Sequence, residues 1–173
     1  MRLFLAIDLP EQLQLNIESL YLPELQSVRW TNSLQLHVTL VFIGEQAKSR
    51  LDEIIEAVGE TPFQPITLSV EGVNHFKSGI IHLQIKENPE LNTLHQRLRQ
   101  KLADAGIHIE KRKYKPHITL GRCQKLDTHI MSTVEKRAGK FSATFEANCF
   151  YLKSSQLKNT GPIYFTEAEF LPD

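Results

Sequence analysis

The chain has 173 residues, 41% of them hydrophobic and 23% charged, which suits one globular domain or two small lobes sharing an interface. No apolar run approaches the ~18–20 residues of a membrane span, and Met1 to Pro10 lacks a signal-peptide layout, so the expected location is cytoplasmic. Lys plus Arg balance Asp plus Glu at 20 each, which argues against coating long nucleic acid by charge and in favour of a local basic site that meets an end or a short piece.

Arg2 to Ile7 is an apolar run with strand character. Asp8-Leu9-Pro10-Glu11 starts a helix, with proline in the first turn and acidic residues near the positive end of the dipole. Leu13, Ile17, Leu20 and Tyr21 continue it as an amphipathic stripe. Val28-Arg29-Trp30 leads into a strand in which Leu36, Val38, Leu40 and Phe42 are predicted to pack while Gln35, His37 and Thr39 form a polar face; Gly44 ends it. Leu51, Ile54, Ile55 and Val58 mark a second helix, broken at Thr61-Pro62, and Ile66 to Val73 reads as a strand.

The pattern then restarts. Gly79 to Ile85 is a strand. Asn88 caps a helix with Pro89 in its first position, a stripe of Leu91, Leu94, Leu98 and Leu102, and Gly106 at its end. The basic loop Lys111 to Lys115 runs into a strand containing His117, Ile118, Thr119 and Leu120. Asp127 caps a helix carrying Ile130, Val134 and Ala138. Phe141 to Leu152 is strand-like, and a turn at Gly161-Pro162 leads to a last strand, Ile163 to Phe170.

Pro10 and Pro89 stand 79 residues apart, and His37 and His117 stand 80 apart. Each half runs strand, helix, His/Thr strand, helix, strand. The expectation is one two-lobed domain over 1–173, duplicated as roughly 1–74 and 79–152 with a final strand at 163–170. Its fold class is α+β, with pseudo-twofold symmetry and two antiparallel sheets around a central cleft lined by both His/Thr pairs. The period is too long for a solenoid, whose repeats run about 20–50 residues.

His-x-Thr in a strand puts an imidazole and a hydroxyl on one face. Two imidazoles in one cleft can divide acid and base work, since unperturbed histidine titrates at ~6.5. Two threonine hydroxyls can hold the non-bridging oxygens of a phosphate as charge builds. That arrangement suits displacement at phosphorus. The sequence carries no HExxH, carboxylate cluster or P-loop, and no metal or cofactor is expected. His75 and His82 flank a predicted hairpin without a third ligand in view, and Cys123 and Cys149 read as buried reduced thiols.

His37-Val38-Thr39-Leu40 and His117-Ile118-Thr119-Leu120 resemble the paired signature of the two-histidine phosphoesterases. The chain looks like the RNA 2′,3′-cyclic phosphodiesterases within them, long called 2′-5′ RNA ligases. Arg2-Leu3-Phe4 through Asp8-Leu9-Pro10, Val28-Arg29-Trp30, Phe42-Ile43-Gly44-Glu45, Pro116 and the tail from Tyr151 to Tyr164 extend the likeness over nearly the whole chain. The resemblance implies hydrolysis of an RNA terminal 2′,3′-cyclic phosphate to a 2′-phosphomonoester, and reversible 2′-5′ ligation. By analogy His37 is the proton donor and His117 the acceptor; the residues themselves leave those two roles open.

Thr39, Thr119 and Arg122 are expected to hold phosphate. Strict alternation turns Arg122 away from His117 unless a bulge at Gly121 re-aims it. Arg29, Trp30, Lys113 and Tyr114 are the expected RNA contacts, with Trp30 as a stacking surface. The expected partner is an RNA or oligonucleotide ending in a 2′,3′-cyclic phosphate, and the chain is expected to be a monomer. The alternatives are a phosphodiesterase acting on 2′-5′ oligonucleotides or small cyclic nucleotides, and a non-catalytic module that binds RNA ends.

Overall fold

A computed structural model describes residues 1–173. The strands are β1 (Arg2–Asp8), β2 (Arg29–Trp30), β3 (His37–Glu45), β4 (Ile66–His75), β5 (Ile80–Ile85), β6 (His117–Arg122), β7 (Ser142–Ala147), β8 (Phe150–Lys158) and β9 (Gly161–Phe170). The helices are α1 (Glu11–Glu18), α2 (Leu51–Gly59), α3 (Pro89–Asp104) and α4 (Thr128–Ala138). This is the α+β, antiparallel, two-lobed architecture that the alternation and the helical stripes predict. None of the helices is long and apolar enough to cross a membrane.

The strands run in the order β7-β4-β5-β6-β3-β1-β8-β9, with β2 on the side of β6. Two four-stranded arrays therefore meet where β3 lies beside β6, at the pair Val38 and Ile118. Through that pair the expected two sheets are continuous. Each array borrows a strand: β4, from the first half of the sequence, pairs with β5 and β7, while β8, from the end of the second, pairs with β1 and β9. One cluster of 37 buried side chains runs from Leu5 and Ile7 through Ile54 and Val58 to Leu83, Leu98 and Val134, so neither lobe has a core of its own.

Local chemistry sets the ends of the elements. The Asn88 side chain accepts a hydrogen bond from the Leu91 amide and donates one to the Thr67 carbonyl, capping α3 and tying it to β4. Asp127 caps α4 through the Ile130 amide. The first helix is shorter than its stripe predicts. After Glu18 the chain tightens into i to i+3 bonds, from the Leu20 amide to the Ile17 carbonyl and from the Tyr21 amide to the Glu18 carbonyl, and Pro23 disfavours helix at Leu22. The single strand expected over Phe141 to Leu152 is two strands, broken at Asn148-Cys149, because its halves pair at distant places in the sheet.

Candidate active site

The antiparallel register through Val38 and Ile118 sets His37 alongside Thr119 and Thr39 alongside His117. Val38, Leu40, Ile118 and Leu120 go into the core, and the two histidines and two threonines remain half-buried on the opposite face. The four expected site residues thus share one floor at the junction of the arrays.

Each imidazole is fixed by the backbone two residues before it. His37 Nδ1 donates to the Gln35 carbonyl at 2.8 Å, and His117 Nδ1 donates to the Lys115 carbonyl at 2.7 Å. A carbonyl only accepts, so Nδ1 carries the hydrogen in both rings. Nε2 is left as the nitrogen that gives or takes a proton. His37 Nε2 accepts from the Thr39 hydroxyl at 3.0 Å.

Aromatic walls hold the rings in place. Phe4 and Tyr164 lie 5.2 and 5.5 Å from His37, and Phe76 and His82 lie 4.9 and 5.0 Å from His117. Burial pushes both imidazoles below the usual histidine range. The carbonyls of Gln35 and Lys115 oppose this, Lys153 adds to it and Asp8 opposes it at His37, and Arg122 adds to it at His117.

Arg122 reaches the same face as His117 and Thr119. Opposite β5, Gly121 pairs with Ile81 and Thr119 with His82, so Leu120 is an extra residue in the ladder and the alternation slips by one. Leu120 and Gly121 are both buried and Arg122 is exposed. Gly121 also lets β2 lie close: a Cβ there would stand 2.9 Å from the Arg29 carbonyl oxygen.

The same slip occurs in β3, where Val41 pairs with Leu5 and Thr39 with Ala6. It corrects the expectation that Phe42 is packed. Phe42 is 51% exposed, shares the face of His37 and Thr39, and has the Arg2 guanidinium 5.0 Å from its ring centre. Phe42 follows His37 by the same five residues that separate Arg122 from His117. The repeat itself carried that signal.

The model of the 2′-5′ RNA ligase superfamily matches residues 9–157. The chain belongs to that superfamily. An RNA 2′,3′-cyclic phosphodiesterase of Archaeoglobus fulgidus is 32% identical over 171 residues, covering 95% of this chain and 96% of the relative. One of Methanocaldococcus jannaschii is 30% identical with the same coverage, 95% and 96%. Among solved structures, a phosphoesterase superposes with a TM-score of 0.84 at 24% identity, covering 99% of this chain and 97% of that one. E. coli LigT complexed with 3′-AMP superposes with a TM-score of 0.82, also at 24% identity and with the same coverage, 99% and 97%. These two likenesses concern the fold.

Within this superfamily fold the other expected contacts divide. Arg29 is exposed and pairs in register with Arg122. Lys113 is exposed on the loop before β6. Trp30 stacks on Tyr21 at 5.0 Å and donates its indole N–H to the Leu22 carbonyl, so its ring is engaged in packing. Tyr114 is a strut behind the first motif: its hydroxyl donates to the Thr39 carbonyl at 2.8 Å and its ring stacks on His95 at 3.9 Å. His95 in turn donates to the Leu40 carbonyl at 2.6 Å. No group of three or more His, Cys, Asp or Glu side chains is gathered to hold a metal ion.

Proposed function

We propose that the chain is an RNA 2′,3′-cyclic phosphodiesterase that opens a terminal cyclic phosphate to a 2′-phosphomonoester by metal-independent acid–base catalysis. The observation that carries this reading is the pair of imidazoles on adjoining strands, each with Nδ1 bound to a main-chain carbonyl, which leaves Nε2 for proton transfer. Membership of the 2′-5′ RNA ligase superfamily, and relatives named for that activity, supply the substrate class.

His117 Nε2 takes a proton from water as the water oxygen attacks phosphorus. The bond from phosphorus to the 3′ oxygen breaks, and Nε2–H of His37 protonates that oxygen as it leaves. The Thr39 and Thr119 hydroxyls donate to the non-bridging oxygens, and Arg122 balances their charge. Arg122 beside His117 disfavours the imidazolium there, which suits the base. Thr39 adds a coupling: neutral His37 occupies its hydroxyl proton, and protonated His37 releases that proton toward the phosphate.

The exposed Phe42 ring beside Thr39 offers a face on which a base can stack. With a 5′-hydroxyl in place of water, the same displacement would release the 3′ oxygen and join the ends through a 2′-5′ linkage, and its reverse would cleave that linkage back to the cyclic phosphate.

The test is product analysis of an oligonucleotide bearing a 2′,3′-cyclic phosphate, incubated with the chain in EDTA. The expected product is the 2′-phosphate. Formation of a 3′-phosphate would overturn the choice of leaving oxygen, and turnover abolished by EDTA would overturn the metal-free chemistry.

A further inference from the structure

The two histidines match in sequence, backbone pinning and aromatic walls, yet their charged surroundings differ. Asp8 ends β1 and is the cross-strand partner of His37; the residue in the same relation to His117 is Gln84, which is neutral. Lys153 on β8 is the cross-strand partner of Phe4, whose ring packs on His37. Lys153 Nζ lies 2.6 Å from Asp8 Oδ1, and the lysine side chain is only 9% exposed. A buried ammonium persists only with a partner, and such an ion pair can often be exchanged for apolar side chains without loss of stability. The proton transfers themselves use neither residue.

We propose that Asp8 and Lys153 are positioning residues that act as a paired charge on His37, setting its protonation and so distinguishing the acid from its twin at His117. Lys153 opposes the imidazolium and Asp8 favours it, a pair of opposed charges that His117 lacks. Burial lowers His37 overall, and the two charges act on it in those opposite senses. The other groups facing His37 are His117 on β6 and Tyr164 on β9, whose hydroxyl burial holds protonated. Tyr151 on β8 sits beneath the Lys153 ammonium, 5.5 Å away, and its phenol is also pushed up, first by its bond to Cys149. None of these supplies a second anion. The inference rests on the phosphodiesterase reading for its consequence in catalysis, but not for the shift itself.

The test follows the His37 ring by proton NMR as a function of pH in the full chain and in Lys153→Met, Asp8→Asn and the double variant. Lys153→Met is expected to move the His37 midpoint up by roughly one pH unit, and Asp8→Asn to move it down by a similar amount. The double variant should fall between the two single variants. The basic limb of the turnover profile should move with the same signs. Should Asp8→Asn fail to fold with Lys153 left alone, Lys153→Met and the double variant still give the rise and its reduction. A Lys153→Met midpoint that stays put or falls, or a double variant that keeps the full rise, overturns the proposal. Opposite shifts in a chain that leaves cyclic-phosphate RNA untouched would uphold the charge pair and remove the phosphodiesterase reading; normal turnover with an unmoved His37 would do the reverse.

Discussion

A neutral imidazole buried in a fold takes up a proton at lower pH than it does in water, and three histidines of this cleft are in that position. For His117, the proposed base, the active form is the neutral one. Its lowered affinity for protons means that the acid limb of kcat/KM should have its midpoint below 6.5, measured with a cyclic-phosphate substrate. His37→Ala and His117→Ala should each cut turnover by roughly 10²–10⁴-fold while leaving the circular dichroism spectrum unchanged. His82 is 5% exposed, both its ring nitrogens lack partners, and burial together with the nearby His117 lowers it to about 4. Because the unfolded chain takes up this proton near 6.5, the contribution is full above that pH and is lost as the pH falls toward 4. The loss amounts to about 3 kcal/mol at most. His82→Phe should remove that dependence, read from denaturant midpoints between those limits.

At the scale of elements, the strands carry the site through two slips of the ladder, and one glycine makes the second possible. Gly121→Ala should push against the Arg29 carbonyl, destabilise the fold by about 1–3 kcal/mol and displace Arg122, seen as a lowered Tm and a raised KM. Tyr114→Phe should cost about 1 kcal/mol by leaving the Thr39 carbonyl without its side-chain donor, read from denaturant midpoints. Alternation revealed β1, β3, β4, β5 and β6, and the stripes and caps revealed the helices. A bulge next to Gly121 was legible as the way to re-aim Arg122, but the slip at Leu40 stayed hidden because a period of two assumes one residue against one residue, and that assumption hid Phe42. The Asp8–Lys153 pair was equally invisible, since its members lie 145 positions apart and meet only when β8 joins β1.

For the whole molecule, the exchange of β4 and β8 makes each lobe depend on chain from the other half. Local periodicity holds no record of such long-range pairing, so the repeat was legible in the sequence and the exchange was not. With one core shared between the lobes, unfolding should be a single transition. Fluorescence of Trp30, the chain's one tryptophan, reports on the side of β6 and should lose its native signal at the same denaturant concentration as the far-ultraviolet circular dichroism of the whole chain. Two separate midpoints would contradict a shared core.

The acceptors that pin the histidines, at Gln35 and Lys115, belong to the main chain. Any residue type keeps a carbonyl there. The side chains at these two positions take no part in fixing the rings. Substitution can therefore change charge and size at these positions, while the choice of working nitrogen stays with the backbone.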